Sequence, residues 1–362
     1  MSLPSLDVHA DIARAWTPPS WLYTDPDRVR LVQERVFSRT WQFVDAPLPE
    51  PEHQQPVTLH GEPLVLTCEP SGRRHLLSNV CTHRGTIVCE EAKRSAGLRC
   101  RYHGRRFRLD GGFTSMPEFE GAEAFPSESD NLPSLPLECR GPMAFTRLAS
   151  PGPSFEDWFR PVEERLAWLP WSELRFDPER SRDYDVAANW ILYCENYLEG
   201  FHIPFVHPTL NELVDYSDYQ TELLEWGSLQ VGIARRGEGV FDLPDTAPDS
   251  GRSVAAYYFW LFPNLMLNFY PWGLSLNSVL PTGIDRCRVT FRSFVHREDL
   301  LSDGAGGDLH TVELEDESVV QAVQRGVRSR FYDRGRYSPT RETGTHHFHR
   351  LLDRWLQAGN TT

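Results

Sequence analysis

The 362-residue sequence has no apolar run approaching the roughly 20 residues that a membrane-spanning helix needs. Its first residues, MSLPSLDVHADIARAW, lack a basic start followed by an apolar stretch, and they lack the Arg- and Ser-rich texture of a transit peptide. These absences argue against a membrane protein and a secreted one, and lead to the expectation of a cytoplasmic chain. Positive charge is in deficit. The 37 Lys and Arg stand against 51 Asp and Glu, a net charge of −14, where a nucleic-acid binder would carry the opposite sign. Seven cysteines, an odd number, do not make a complete disulfide framework, so they are expected to be free in a reducing compartment and open to metal. There is no internal repeat, no low-complexity tract, and no flavin or nicotinamide fingerprint. What is present, 40% hydrophobic residues over this length, suits a globular chain of two or three domains that buries its core without disulfides.

Two textures divide the chain. Residues 1–40 read as partly helical. In DPDRVRLVQERVFSRTW, Asp25 and Asp27 stand near a start, and Val29, Val32, Val36 and Phe37 share a face. From Trp41 to about Leu148, short apolar runs (PLVLTC, HLLSNV, GLRCRY) alternate with Gly and Pro, the pattern of a small antiparallel β domain with a hairpin at Asp110-Gly111-Gly112. A Pro-rich connector with a short helix covers 151–170. A helical, aromatic stretch follows Asn189, and 221–295 reads mostly as strands. Residues 301–308 read as a flexible loop and about 310–332 as a helix.

Within the β region, Cys81-Thr-His83 and Cys100-Arg-Tyr-His103 each offer one thiolate and one imidazole, with sixteen residues, Arg84 to Arg99, between them. Structural zinc sites usually take like ligands from each loop, two Cys from a knuckle or two His from a helix. A [2Fe–2S] cluster with Cys₂ on one iron and His₂ on the other needs mixed delivery. Gly85 and Gly104 allow each loop to turn back tightly. Cys89 lies outside both motifs and reads as packing. Lys93, Arg94, Arg99, Arg101, Arg105, Arg106 and Arg108 form a basic patch around the second loop. It is either a solvated surface or a docking face for an acidic partner or neighbouring subunit.

A second constellation lies in CENYLEGFHIPFVHPTL. Asn196, Glu199 and His202 recur every three residues, near one helix face. His207 follows His202 by five, about 140° around an ideal helix, so the helix must bend or end between them, and Pro204 disturbs it there. Two histidines and a carboxylate make the facial triad of non-haem Fe(II), which leaves positions open for dioxygen. The helix TVELEDESVVQAVQRGV offers Glu313, Glu315, Asp316 and Glu317. Asp316 stands at i+4 from Val312 and i−4 from Val320, inside the apolar stripe also marked by Val319, Val323 and Val327. A carboxylate facing a core needs a partner, which iron, an Arg or backbone N–H groups would supply. His346, His347 and His349 have poor spacing for a single metal site, and His296 and His310 have no partner pattern.

C-T-H-R-G with C-R-Y-H-G resembles the cluster motif of Rieske proteins. Together with E-x-x-H-x-x-x-x-H and the later helix acid, the resemblance extends over nearly the whole chain to the catalytic (alpha) subunit of Rieske-type non-haem iron oxygenases. Glu at position 199, where ring-dihydroxylating relatives have Asp, is similar to the choline, carnitine and glycine-betaine monooxygenase subgroup, as are FPNLMLNFYPWG and the C-terminal segment. The resemblance implies an α+β chain in three parts: an N-terminal helical segment (1–40) packed on the catalytic domain, a Rieske [2Fe–2S] β domain (41–150), and a helix-grip (START-like) antiparallel-sheet catalytic domain (151–362). It implies Cys81, His83, Cys100 and His103 as cluster ligands and His202, His207 and Asp316 as mononuclear iron ligands. It further implies a head-to-tail homotrimer in which Glu199, beside Asn196, bridges His103 of one subunit to His202 of its neighbour. Electrons would come from a separate reductase or ferredoxin, so NAD(P)H would serve only indirectly, with O₂ as co-substrate. One departure is Arg105, where many relatives have Trp; it is expected to add surface charge and to alter partner docking.

The activity implied is monooxygenation of a small organic molecule, with N-methyl or methyl hydroxylation, or demethylation, of a quaternary ammonium-type compound ahead of aromatic-ring dihydroxylation. A Rieske electron-transfer protein without oxygenase activity is the rival of another class, and a zinc-stabilised module a third. Candidate substrate-pocket residues are Tyr257, Phe259, Asn268, Tyr270 and Trp272. Aromatic faces hold quaternary cations, although strand alternation places only half of these on the inner face.

Overall fold

In the computed structural model, residues 5–213, 220–234, 239–301, 304–307 and 309–358 are described. The chain forms two compact units, one of residues 41–150 and one of residues 1–40 with 151–362.

The 41–150 unit is built from short strands, as its apolar runs punctuated by Gly and Pro require. A five-stranded sheet has His53–Leu59, Glu62–Cys68 and Arg74–Ser78 as neighbouring antiparallel strands. His60 and Gly61 join the first two as a two-residue turn with both φ angles positive, the geometry that matches strand twist. A three-stranded sheet of Leu98–Arg99, Arg106–Phe107 and Phe113–Ser115 carries the hairpin at 110–112. Val65, Leu77, Leu98, Phe107 and Leu132 pack with Cys81, Cys89 and Cys100 in one buried cluster.

The other unit is centred on a seven-stranded antiparallel sheet. From Gln220–Leu224 it meanders through Gly227–Ile233, Val254–Leu261, Leu265–Tyr270, Gly273–Gly283 and Arg286–Val295, and Arg175–Val186 closes the far edge. Helices Trp190–Tyr197, Leu309–Gly326 and Thr343–Gln357 pack into its main core, joined by Leu22 of helix Trp21–Thr24 and Val32 of helix Arg28–Arg35. This antiparallel sheet with helices gripping it is the expected α+β catalytic architecture. In Thr343–Gln357, the buried Phe348, Leu351, Leu352, Trp355 and Leu356 recur at helical spacing, and Phe348 meets Trp190 and Trp260 edge-on. Residues 5–20 lie against this helix and the segment before it. Leu6 N–H donates to Asp353, and Thr17 N–H to the Gly335 carbonyl.

Two boundaries differ from expectation. The helix that starts at Trp190 ends at Tyr197, before either histidine, so Glu199 and His202 do not continue its face. A separate one-turn helix, Ile203–Val206, follows; His202 is its N-cap and His207 its C-cap. Pro204 fits there because a first-turn residue has no intrahelical acceptor for its N–H. The later helix ends at Gly326 rather than near 332. Of the loop expected at 301–308, Ser302, Asp303 and Asp308 lie outside the described residues, and 304–306 form a 3₁₀ turn.

Candidate active site

The two Cys/His loops of the 41–150 unit are built alike. In each, the N–H of the glycine four residues after the cysteine returns to the cysteine carbonyl: Gly85 to Cys81 at 2.9 Å, Gly104 to Cys100 at 3.1 Å. The next carbonyl accepts from the cysteine N–H, Thr86 to Cys81 at 2.9 Å and Arg105 to Cys100 at 2.8 Å. Both glycines have positive φ, +71° and +75°, which favours glycine. The loops bring the four side chains together. Cys81 and Cys100 are buried with their thiols in hydrogen-bonding reach of each other, and the His83 and His103 rings meet edge-on at 4.8 Å. Two inner thiols and two outer imidazoles form a donor set that fits a Cys₂His₂ [2Fe–2S] cluster.

Arg105 departs from expectation. It is 2% exposed rather than a surface charge. Its guanidinium lies 2.6 Å from Asp130 Oδ1 and 4.7 Å from the Phe113 ring centre, with Phe107 and Phe125 beside it. The Asp130 carbonyl accepts from both Arg105 and Thr82 Oγ1, so one residue ties the two cluster loops together. Within the basic patch, Arg94 pairs with Glu52, Arg101 with Glu90 and Arg108 with Asp110. Cys89 is buried, and its N–H is held by Asn79.

In the larger unit, His202, His207 and Asp316 place their ligand atoms within 4.8 Å of one another, the single such His/Cys/Asp/Glu group among the described residues. Asp316 Oδ1 lies 3.0 Å from His207 Nε2 and 3.5 Å from His202 Nε2. The opposite ring nitrogens are also held, His202 Nδ1 by Glu199 at 2.7 Å and His207 Nδ1 by Glu315 at 2.7 Å. Those contacts leave both Nε2 atoms to face the carboxylate, as metal-binding histidines with oriented tautomers require. The other Glu199 oxygen accepts from the N–H groups of Phe201 and His202, which fixes the turn past the helix end. Asn196 Nδ2 donates to Asp316 Oδ1 at 2.6 Å. Two imidazoles and one carboxylate with a cavity above them fit a mononuclear iron with open positions.

That cavity is walled by Tyr193, Tyr197, Tyr258 and Tyr270, with Phe291 and Leu210, and its polar edge includes Gln230, Asn268, Asn277 and Glu313. Of the five strand residues read as pocket candidates, Asn268 and Tyr270 line it. Tyr257 and Phe259 do not, because alternation turns them to the other side of the strand, where Tyr257 donates to Asp249 and Phe259 packs against Phe269. Tyr258, between them, faces in. Trp272 stacks on the Tyr270 ring at 5.4 Å and lines a different hollow. Glu313 was not singled out from its neighbours, yet it is the most buried acid on its helix, 3% exposed. Burial holds its pKa far above the usual carboxylate range, helped by Asp316 and Glu317 and opposed by the hydrogen bond from Tyr193. Its signal was positional: it precedes Asp316 by one helical turn. Val323, by contrast, read as part of the stripe, is exposed.

The three histidines of the 343–357 helix and His310 have separate partners, whereas His296 Nε2 is buried with no hydrogen-bond partner among the described residues. His346 Nε2 meets the His9 carbonyl, His347 Nε2 the Leu224 carbonyl, and His349 lies between Tyr337 and Glu195. His310 pairs with Tyr184.

Comparison with known proteins agrees with this geometry. The family model "Ring hydroxylating alpha subunit (catalytic domain)" matches residues 174–358, and "Rieske [2Fe-2S] domain" matches 40–126. The chloroplastic choline monooxygenase of Arabidopsis thaliana is 32% identical over 96% of this chain and 84% of that one. This chain belongs to the ring-hydroxylating oxygenase alpha subunits. The carnitine monooxygenase oxygenase subunit of Escherichia coli K12 is 28% identical, over 95% of this chain and 94% of its own. The fold matches that of the quaternary ammonium Rieske monooxygenase CntA, with a TM-score of 0.80, 23% identity, and 99% of each chain covered. The oxygenase therefore uses one Rieske [2Fe–2S] cluster, one mononuclear non-haem iron and O₂, and it takes electrons from a partner protein. Among its described residues no helix is long and apolar enough to cross a membrane.

Proposed function

We propose that this oxygenase hydroxylates a small quaternary or tertiary ammonium compound. Cys81, His83, Cys100 and His103 would hold the cluster, and His202, His207 and Asp316 the iron. The observation that carries the reading is the cavity over the triad, whose tyrosine-rich wall suits a cation and whose buried amides suit a polar molecule rather than a bare arene. The relatives named for choline and carnitine point the same way.

When bound, the cluster supplies electrons one at a time and the iron activates dioxygen. The overall reaction takes one C–H bond, O₂, two electrons and two protons to C–OH and water. Hydroxylation on an N-methyl carbon yields a hemiaminal that collapses to the demethylated amine and formaldehyde. The chain's own residues set the conditions. Glu199 and Glu315 fix the two imidazoles, Asn196 fixes the Asp316 carboxylate, and the tyrosine wall holds substrate against the open side of the triad while excluding water.

In this reading Glu199 also links His202 to His103 of a neighbouring subunit in a head-to-tail homotrimer. His103 is exposed on its unit, as transfer across a subunit boundary needs. A separate reductase or ferredoxin supplies the electrons, and the enzyme works in the cytoplasm, where its seven free cysteines suit a reducing compartment.

The test is metal and sulfide analysis with EPR on anaerobically purified protein, reduced with dithionite and then treated with nitric oxide, followed by a turnover screen of ammonium compounds with a generic reductase. The expected result is about three irons and two sulfides per chain, a Rieske signal and a high-spin Fe–NO signal, with product from at least one ammonium compound. A Rieske signal without Fe–NO in iron-replete protein would instead mark an electron carrier.

A further inference from the structure

Of the tyrosines that wall the cavity over the triad, Tyr270 also leads out of it. Its ring stacks on Trp272, with centres 5.4 Å apart and planes 18° apart. It meets Tyr258 edge-on at 6.0 Å, with the two hydroxyls in hydrogen-bonding reach. Tyr258 and Tyr270 line the cavity, whereas Trp272 lines the second hollow, with Arg180, Arg182 and His310. Those last three residues are exposed, so that hollow opens to solvent. A line of oxidisable rings therefore runs from the cavity wall to a solvent-filled hollow.

Two details separate this line from ordinary core packing. Trp272 is 2% exposed, and its Nε1 has no hydrogen-bond partner among the described residues. A buried donor left unmet costs about 1–3 kcal/mol, a cost that a Phe would not carry. The fold thus keeps an indole where burial alone favours a ring with no polar atom. The second detail is Gly306, which lies across the pair. A Cβ there would collide with both Trp272 Nε1 and Tyr270 Cγ, so only bare backbone lets the 304–306 turn close over the two stacked rings.

We infer that Tyr270 and Trp272 form an electron relay that drains oxidising equivalents from the triad cavity to the hollow when dioxygen is reduced with no substrate C–H bond to attack, and that a small thiol is the terminal reductant. This rests on iron at the triad and is independent of the ammonium reading. Small thiols are the reductants of a compartment that suits seven free cysteines. Tyr270 gives up one electron per equivalent, its phenolic proton shifting toward the Tyr258 oxygen and returning. Trp272 replaces that electron and takes one in turn from a thiol at the hollow. Two thiols yield two electrons and two protons and leave as one disulfide. With the two electrons and two protons already supplied by the donor chain, they complete the reduction of O₂ to two waters.

Hydrogen peroxide, which is dioxygen already carrying two electrons and two protons, delivers the same equivalents to the iron- and cluster-loaded enzyme without a reductase. The experiment adds peroxide in substrate-free buffer, with and without 2-mercaptoethanol, to wild type and to Trp272→Phe. The variant keeps a ring on Tyr270 but has no oxidisable indole. Peptide mass spectrometry measures oxidation of Tyr258 and Tyr270, and freeze-quenched EPR detects aromatic radicals. Iron and sulfide content should match in the two proteins. Wild type is expected to show a transient aromatic radical, shortened by the thiol, and little oxidation of either tyrosine when the thiol is present. In W272F, oxidation of the two tyrosines should rise several-fold, and the thiol should no longer suppress it. Equal oxidation in both proteins, or equal protection by the thiol, would overturn the relay. If W272F fails to load iron, wild type decides alone: no aromatic radical after peroxide, in protein that gives the Fe–NO signal, overturns it. Absence of the Fe–NO signal itself would sink the iron reading and the relay with it.

Discussion

Asn196 and Asp316 are joined by a 2.6 Å hydrogen bond to the same Oδ1 that lies 3.0 Å from His207 Nε2. The amide thus fixes the rotation of the carboxylate from a helix that packs against the one carrying Asp316. Replacing it should loosen the metal site without touching a proposed ligand. Asn196→Ala is expected to weaken iron affinity 10- to 100-fold, the usual effect of losing an outer partner. Iron content after graded chelation checks this, with sulfide content as the unchanged control. Wild-type retention of iron would show that Asp316 keeps its rotamer unaided.

Glu199 sits 2.7 Å from His202 Nδ1 and also caps the turn that precedes the short helix. Glu199→Gln keeps a group able to accept from those backbone N–H groups but removes the charge. Iron and cluster should both load, and the protein should melt within a few degrees of wild type. Reoxidation of the reduced cluster during a single turnover should slow by roughly 10- to 100-fold, the scale of a lost outer partner. Stopped-flow absorbance reads that rate directly. An unchanged rate would rule out Glu199 as the electron-transfer link.

The motif positions were legible because spacing is a property of sequence. The two Cys/His loops, the two histidines around Pro204 and the acid at 316 all come together as their spacing suggests. The strand-rich stretch from 221 to 295 was legible for a similar reason, since β-branched and aromatic runs between turn residues carry a local signal. Which side of a strand faces the cavity was not legible. Tyr257 and Tyr258 are adjacent and chemically alike, and only the pairing register, Tyr258 opposite Asn268, separates wall from core. The helix end at Tyr197 was missed because a three-residue recurrence continues past it into a turn built by Glu199. The 343–357 helix carries an apolar stripe from Phe348 to Leu356, and three histidines near its start make that segment read as polar. Arg105 was misjudged because an Arg reads as surface unless its partner is known, and Asp130 lies 25 residues further on.

That buried pair carries its own prediction. Arg105 is 2% exposed and Asp130 16% on their side chains, and both reach the cluster loops. Arg105→Met would take the guanidinium from among three phenylalanines and leave the Asp130 carboxylate with Ser127 alone. The 41–150 unit should lose about 2–4 kcal/mol, at the scale of breaking a buried pair. Arg105→Lys should restore little, because a point charge cannot span the Asp130 carboxylate and carbonyl as a guanidinium does. Bleaching of the cluster's visible absorbance on heating measures this; an unshifted midpoint in R105M would show that the pair holds nothing.

His60 gives the same unit a pH dependence of definite sign. It occupies the turn between two strands, with Nε2 2.9 Å from Gln42 Oε1, and burial lowers its pKa to about 4. In the unfolded chain an ordinary His takes up its proton near pH 6.5. Between pH 6.5 and about 4 the unfolded state therefore binds the proton that the folded state refuses. The stability His60 allows is complete above pH 6.5 and is lost as pH falls through that window, about 2 kcal/mol by pH 5. His60→Asn removes the titration and keeps a residue that tolerates the positive φ of 50°. The variant should melt close to wild type, or below it, at pH 7.5 and gain on wild type at pH 5. Denaturant midpoints at the two pH values decide it, and a variant-to-wild-type difference that does not change between them would mean that the imidazole titrates normally inside the fold.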